Sequence, residues 1–125
     1  QGTNVLVGHC RESILAAVAL EKDVDGFSPV NVGKLFAGNE AAVPCTPKGV
    51  IRMLEEYGIR IAGKNAVVIG RSSIVGKPVA LMLLNRNATV TVCHSKTRNL
   101  AHHTKTADIL VVAAGKPRLI TAEIV

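Results

Sequence analysis

Val67-Val68-Ile69-Gly70-Arg71-Ser72-Ser73-Ile74-Val75-Gly76-Lys77-Pro78 is the stretch that decides how this chain is read. Its β-branched start, residues 67–69, has the composition of a buried strand. Gly70-Arg71-Ser72 supplies turn residues, and the apolar-periodic run from Pro78 predicts a helix with proline in its first turn. Strand, tight turn and helix N-terminus form a common backbone device for a phosphate, because unpaired N–H groups and the helix dipole both favour an anion. Glycine spacing alone does not specify more. Only Gly70 stands in place for a G-x-G-x-x-G fingerprint and Gly76 falls one position late, so a dinucleotide site and a structural turn both stay open. The NTPase pattern G-x-x-x-x-G-K-[ST] is rejected, since one residue too many precedes Gly76-Lys77 and Pro78 stands where a magnesium-binding hydroxyl belongs.

The next strand narrows the choice. Residues 89–93 alternate Thr and Val before Cys93, then run into His94-Ser95-Lys96-Thr97-Arg98 with no acidic residue. A dinucleotide site specific for NAD places an Asp or Glu there for the adenine-side ribose hydroxyls. Arg71, Ser95, Lys96 and Arg98 suit an additional phosphate instead, and a charge-assisted contact of that kind contributes about 1.5–3 kcal/mol. NADP is therefore preferred over NAD, with a solvated basic loop as the alternative. After a third strand at residues 109–113, Ala114-Gly115-Lys116-Pro117 is small enough for a dinucleotide to pass close by, and equally compatible with an ordinary turn.

Upstream, the periodicity predicts a short helix over residues 12–20, a polar turn at Glu21-Lys22-Asp23-Val24-Asp25-Gly26, and a second helix over residues 30–36 stopped by Gly38-Asn39. Residues 4–7 are apolar enough for a strand or a tether. In Pro44-Cys45-Thr46-Pro47, Thr46 reads as an N-cap with Pro47 at the first helical position. Val50, Ile51, Leu54 and Tyr57 make the apolar face of that helix, and Gly58 ends it. A weaker helix is expected over residues 100–106. Strands alternating with helices imply a Rossmann-like α/β fold, a parallel sheet with right-handed crossovers and helices on both faces.

The 125 residues are one domain's worth of chain, 48% hydrophobic and 19% charged, which excludes a disordered segment. With 2% aromatic residues and no Trp, base stacking on aromatic platforms is disfavoured. Fifteen basic against nine acidic residues leave a net charge of +6, but without runs of like charge, which favours a small anionic ligand over nucleic acid. The longest apolar run, residues 14–20, is far shorter than the roughly 20 residues of a membrane span, and no export signal is visible. Cys10, Cys45 and Cys93 are odd in number and never C-x-x-C, as in a reduced cytosolic protein. Neither His102-His103 nor Cys93-His94 makes a metal site or catalytic dyad, since adjacent side chains diverge on a helix and point to opposite faces of a strand. No metal site is expected.

Five segments in order resemble the methylenetetrahydrofolate dehydrogenase/methenyltetrahydrofolate cyclohydrolase family. They are Glu21-Lys22-Asp23-Val24-Asp25-Gly26-Phe27, Pro44-Cys45-Thr46-Pro47-Lys48-Gly49, Gly70-Arg71-Ser72 through Val75-Gly76-Lys77-Pro78, Cys93-His94-Ser95-Lys96-Thr97, and Ala107-Asp108-Ile109 through Gly115-Lys116-Pro117. The resemblance implies NADP-dependent oxidation of 5,10-methylenetetrahydrofolate and hydrolysis of the methenyl product to 10-formyltetrahydrofolate, by a cytoplasmic homodimer. It implies Asp25 as the carboxylate that binds the folate pterin, where the residues alone read as a turn-forming Asp before Gly26. It implies Thr46 on the nicotinamide-side wall, and Gly70, Arg71, Ser72 and Ser95 as cofactor contacts.

The chain departs from the family at the catalytic centre. The family's catalytic Lys lies in Tyr-x-x-x-Lys, whereas Tyr57 is followed four residues on by Ile61, and the only Gln is Gln1. The expected Pro-Gly-Gly-rich segment is also missing. Residues 1–20 are therefore expected to be a remnant of, or connector from, an N-terminal folate domain, and residues 21–125 a Rossmann-type NADP-binding domain incomplete at its C-terminus. Two rivals remain: a catalytically incompetent NADP-binding or dimerising fragment, and another NADP-linked dehydrogenase with a similar sheet.

Overall fold

The computed structural model describes residues 17–125. The strand or tether expected at residues 4–7, Cys10 and most of the helix expected over residues 12–20 lie outside the described residues. A short 3-10 turn, Leu20–Lys22, leads into α1 (Pro29–Phe36) and α2 (Cys45–Glu56). Then come β1 (Asn65–Ile69), α3 (Gly76–Asn85), β2 (Thr89–Cys93), α4 (Leu100–Lys105), β3 (Ile109–Val112) and a terminal 3-10 turn, Ala122–Ile124.

α1, α2 and α3 stop where the sequence supplies residues that tolerate left-handed backbone. At the end of α2, Gly58 (φ +66°) donates to the Glu55 carbonyl and Ile59 to the Leu54 carbonyl, the pair of bonds that defines a Schellman stop. Gly38 (φ +87°) closes α1 in the same way, and Asn87 (φ +65°) closes α3. The starts differ more from expectation. Pro44, not Thr46, is the N-cap of α2, and Pro47 sits in the first turn, where no intrahelical N–H partner is lost. Tyr57 does not belong to the apolar face: it is the C-cap of α2 and 82% exposed.

The three strands are parallel in the order β2-β1-β3, with Ile69 opposite both Cys93 and Val112. Alternation along β1 divides the core. Ala66 and Val68 face Val79, Met82 and Leu83 of α3 and Ile51 of α2, while Val67 and Ile69 join Cys93, Leu100 and Leu110 on the other face. Helices on both faces follow from the order itself. The chain leaves β1 for one neighbour through α3 and must pass back across the sheet through α4, so right-handed crossovers force the two helices onto opposite sides. Arg86, at the C-terminus of α3, pairs with Glu40 at 2.8 Å and Glu55 at 3.5 Å, tying the α1–α2 loop and α2 to this layer. Among the described residues, no helix is long and apolar enough to cross a membrane.

Candidate functional site

Because all three strands run the same way, their carboxyl ends meet, and a central strand flanked by crossovers leaving in opposite directions opens a crevice there. A cavity of about 490 Å³ occupies this position, within the size range of small-ligand sites. It is lined by Gly70, Arg71 and Ser72 after β1, by His94, Ser95 and Thr97 after β2, and by Ala113, Ala114 and Lys116 after β3, among others.

Gly70 closes the floor. Its N–H donates to the Cys93 carbonyl at 2.8 Å, and the Ala113 N–H donates to the Ile69 carbonyl at 2.7 Å, so the three strand ends are tied together. At φ +125° Gly70 occupies backbone that favours glycine, and a Cβ built on it would stand 2.8 Å from the Ala113 carbonyl carbon. Gly76 meets the turn from the other side, where an added Cβ would lie 2.8 Å from the Arg71 nitrogen. The spacing that fits no fingerprint thus performs two of its tasks, the tight turn and the close helix packing.

The start of α3 differs from the phosphate device expected of it. The Ser72 hydroxyl accepts from the N–H groups of Val75 at 3.1 Å and Gly76 at 3.2 Å. Lys77 donates to the Ser72 carbonyl, Pro78 has no N–H, and Val79 donates to the Val75 carbonyl. The first-turn donors are already used internally, which also explains why α3 begins two residues before Pro78. At the start of α3 itself this leaves an anion the Ser72 O–H proton and the helix dipole, beside the cations around the cavity.

The loop after β2 is held by its own side chains. His94 N–H donates to the Thr97 hydroxyl at 2.8 Å, and Lys96 N–H donates to His94 Nδ1 at 3.2 Å. Using Nδ1 as an acceptor leaves Nε2 as the N–H of the neutral ring. Of the basic residues expected to meet an additional phosphate, Arg71 lines the cavity with Ser95, whereas Lys96 and Arg98 do not. Lys116 takes their place. Its loop stands out in the sequence only for small residues; the signal for Lys116 is that every loop following a parallel strand reaches the same edge. The lining contains no Asp or Glu. Cys93 beneath it is fully buried, and burial pushes its thiol pKa up, which makes it a packing residue and not a nucleophile.

Asp25 and Thr46 lie outside this lining. Asp25 stands instead beside the start of α2, where the Cys45 thiol donates to its Oδ1 at 3.2 Å. The turn carrying Asp25 is anchored by Asp23, whose buried carboxylate accepts from Phe27 N–H at 3.0 Å, Ser28 N–H at 2.8 Å and Asn31 Nδ2 at 2.8 Å. Burial works to raise the Asp23 pKa, but these donors outweigh it and hold the pKa at about 2. Gly26 (φ +65°) backs onto Ala42 and Val43 with no room for a side chain. A second cavity, about 500 Å³, adjoins Cys45 and is lined also by Glu40, Lys48 and Arg86.

Residues 44–125 match the family described as tetrahydrofolate dehydrogenase/cyclohydrolase, NAD(P)-binding domain. The bifunctional protein FolD of Nitrosospira multiformis is 63% identical over 112 residues, covering 90% of this chain and 39% of that protein. FolD of Nitrosomonas europaea is 58% identical over 121 residues, covering 96% and 41%. The crystal structure of FolD, methylenetetrahydrofolate dehydrogenase/cyclohydrolase, from Campylobacter jejuni superposes with a TM-score of 0.89 at 50% identity, covering 93% of this chain and 42% of that one. The Trypanosoma brucei enzyme, crystallised with NADP cofactor and inhibitor, gives 0.87 at 44% identity, covering 91% and 40%. The chain thus spans about two-fifths of the length of the relatives it matches. With the matched residues containing all three strands and the cavity at their ends, this chain belongs to the tetrahydrofolate dehydrogenase/cyclohydrolase family, through its NAD(P)-binding domain.

Proposed function

We propose that the protein carrying this chain oxidises 5,10-methylenetetrahydrofolate with NADP⁺ and hydrolyses the methenyl product to 10-formyltetrahydrofolate, and that residues 21–125 form its NADP-binding domain, with residues 1–20 leading in from a folate-binding part. The observation that carries this is the cavity at the strand ends, which has Arg71, Lys116, Ser72 and Ser95 in its lining and no carboxylate. A ribose hydroxyl needs an acceptor there; a ribose phosphate needs donors and positive charge.

Bound NADP⁺ supplies the hydride acceptor. This chain's residues bind and orient it: Arg71 and Ser95 hold the additional phosphate, Gly70 lets the dinucleotide approach the sheet edge, and Ser72 donates its hydroxyl proton while keeping the α3 start closed. Thr46 forms part of the nicotinamide-side wall, and the Asp25 carboxylate accepts from the pterin. Loss of hydride from the one-carbon bridge leaves a methenyl cation, to which water adds. The lysine that assists this chemistry is not identifiable among the 125 residues. Cysteines that are odd in number and never spaced C-x-x-C support a cytoplasmic enzyme, which we take to be a homodimer.

Initial rates of the intact protein with methylenetetrahydrofolate test the cofactor reading: NADP⁺ should be used far better than NAD⁺. Equal use would remove the discriminating role of Arg71 and Ser95. The absence of Tyr-x-x-x-Lys favours a second reading, in which these residues alone bind NADP without turnover; an NADP titration beside an activity assay on the isolated chain separates the two.

A further inference from the structure

Asp25 is held more firmly than a turn residue requires. Asp23 fixes the backbone after it through the Phe27 and Ser28 N–H groups and is itself held by Asn31 Nδ2, and Gly26 is pressed against Ala42 and Val43, so the peptide carrying Asp25 has little freedom. That leaves the two side-chain torsions. The Cys45 thiol restrains these by donating to Oδ1 at 3.2 Å. Cys45 is the first residue of α2, and its position is set in turn by Pro44, which is buried. A carboxylate offers about four acceptor positions over two oxygens. One thiol bond on Oδ1 occupies one of them, and Oδ2 has no hydrogen-bond partner among the described residues.

We propose that Cys45 is a positioning residue for Asp25, fixing one carboxylate oxygen through its S–H so that the other is presented to the pterin of the folate substrate. This rests on the assignment of Asp25 to the pterin made above. The thiol suits the task chemically. The hydrogen bond to Asp25 and the charge of that carboxylate raise the Cys45 pKa above its ordinary value, which keeps the sulfur protonated, and therefore a donor, at neutral pH. Serine keeps a donor on the same carbon, whereas alanine has none.

Four variants of the intact protein test this: Asp25→Asn, Cys45→Ala, Cys45→Ser and the double variant Asp25→Asn/Cys45→Ala. Cys45→Ala should raise the KM for methylenetetrahydrofolate about fivefold, the equivalent of one lost hydrogen bond, and leave the KM for NADP⁺ within about twofold. Cys45→Ser should restore the folate KM, and Cys45→Ala should add nothing once Asp25 is Asn. An unchanged folate KM in Cys45→Ala, beside a raised one in Asp25→Asn, overturns the positioning role alone. The same holds if the two effects multiply independently. An unchanged folate KM in Asp25→Asn overturns the pterin assignment itself. A measurement without turnover checks the contact: iodoacetamide labelling of the exposed Cys45, followed at its own peptide from pH 7 to 10, should shift to lower pH in Asp25→Asn. No shift means that the thiol does not bond the carboxylate, and the proposal fails.

Discussion

Gly76 lies against the Gly70 peptide so closely that a Cβ on Gly76 would stand 2.8 Å from the Arg71 nitrogen. The start of α3 is therefore pressed onto the turn that closes β1, and both obstructing groups are backbone. Gly76→Ala is expected to destabilise the fold by about 1–3 kcal/mol, the range for overpacking a tight site. It should also weaken NADP binding, because the turn must shift to admit the methyl group. Urea unfolding with an unchanged m-value would register the first effect; wild-type stability would mean the helix can slide without cost.

The two N–H groups that Ser72 accepts give it a structural task separate from any ligand. Ser72→Ala should cost about 1 kcal/mol, like other lost caps. Ser72→Thr, which retains the oxygen, should stay within about 0.5 kcal/mol of wild type. If alanine is equally well tolerated in chemical denaturation, water must replace the hydroxyl.

Arg71 and Lys116 are the arginine and the lysine in the cavity lining, and Arg71 forms no ion pair with a described residue. Arg71→Ala should weaken NADP by about one to two decades while leaving NAD almost unaffected. Lys116→Gln should weaken NADP less, about three- to tenfold, since a flexible ammonium holds a phosphate as a point charge. Calorimetric titration with both cofactors separates these outcomes, and a loss below threefold for Arg71→Ala would mean that the guanidinium is solvated.

Asp23 makes the fold sensitive to acid. Its pKa is lowered from 3.8 to about 2, so the folded state favours the carboxylate. The stabilisation, about 2 kcal/mol, is present above the unfolded pKa near 4 and is lost as the pH falls through about 2. Denaturant midpoints measured from pH 2 to 6 should fall on the acid side in the wild type. Asp23→Asn should be less stable at pH 6 and should lack this part of the slope.

Much of this was legible along the chain. The β-branched and alternating runs specify β1 and β2, and Gly38 and Gly58 stop their helices because left-handed backbone is cheap only for such residues. These are interactions between residues a few positions apart. The structure departs from the sequence pattern where a local signal competes with a neighbour not obvious in that pattern. Thr46 has the chemistry of an N-cap, yet α2 begins at Cys45. Pro78 resembles a helix start, yet the Ser72 hydroxyl lets α3 begin at Gly76. Tyr57 has the right spacing for the core but stands beyond the last helical residue.

The sequence by itself determined a parallel α/β fold and marked Gly70, Arg71, Ser72 and Ser95 as residues that follow strands, because strand, turn and helix signals are short-range. Only the tertiary structure decided the order β2-β1-β3, and with it the meeting of Arg71, Ser95 and Lys116 at one cavity while Lys96 and Arg98 stay outside its lining. It also decided that the N–H groups at the start of α3 are already taken and that Cys45 bonds Asp25 across twenty residues of chain. Such relations depend on crossover handedness, close backbone packing and side-chain direction, which couple residues distant in sequence and leave no periodicity behind.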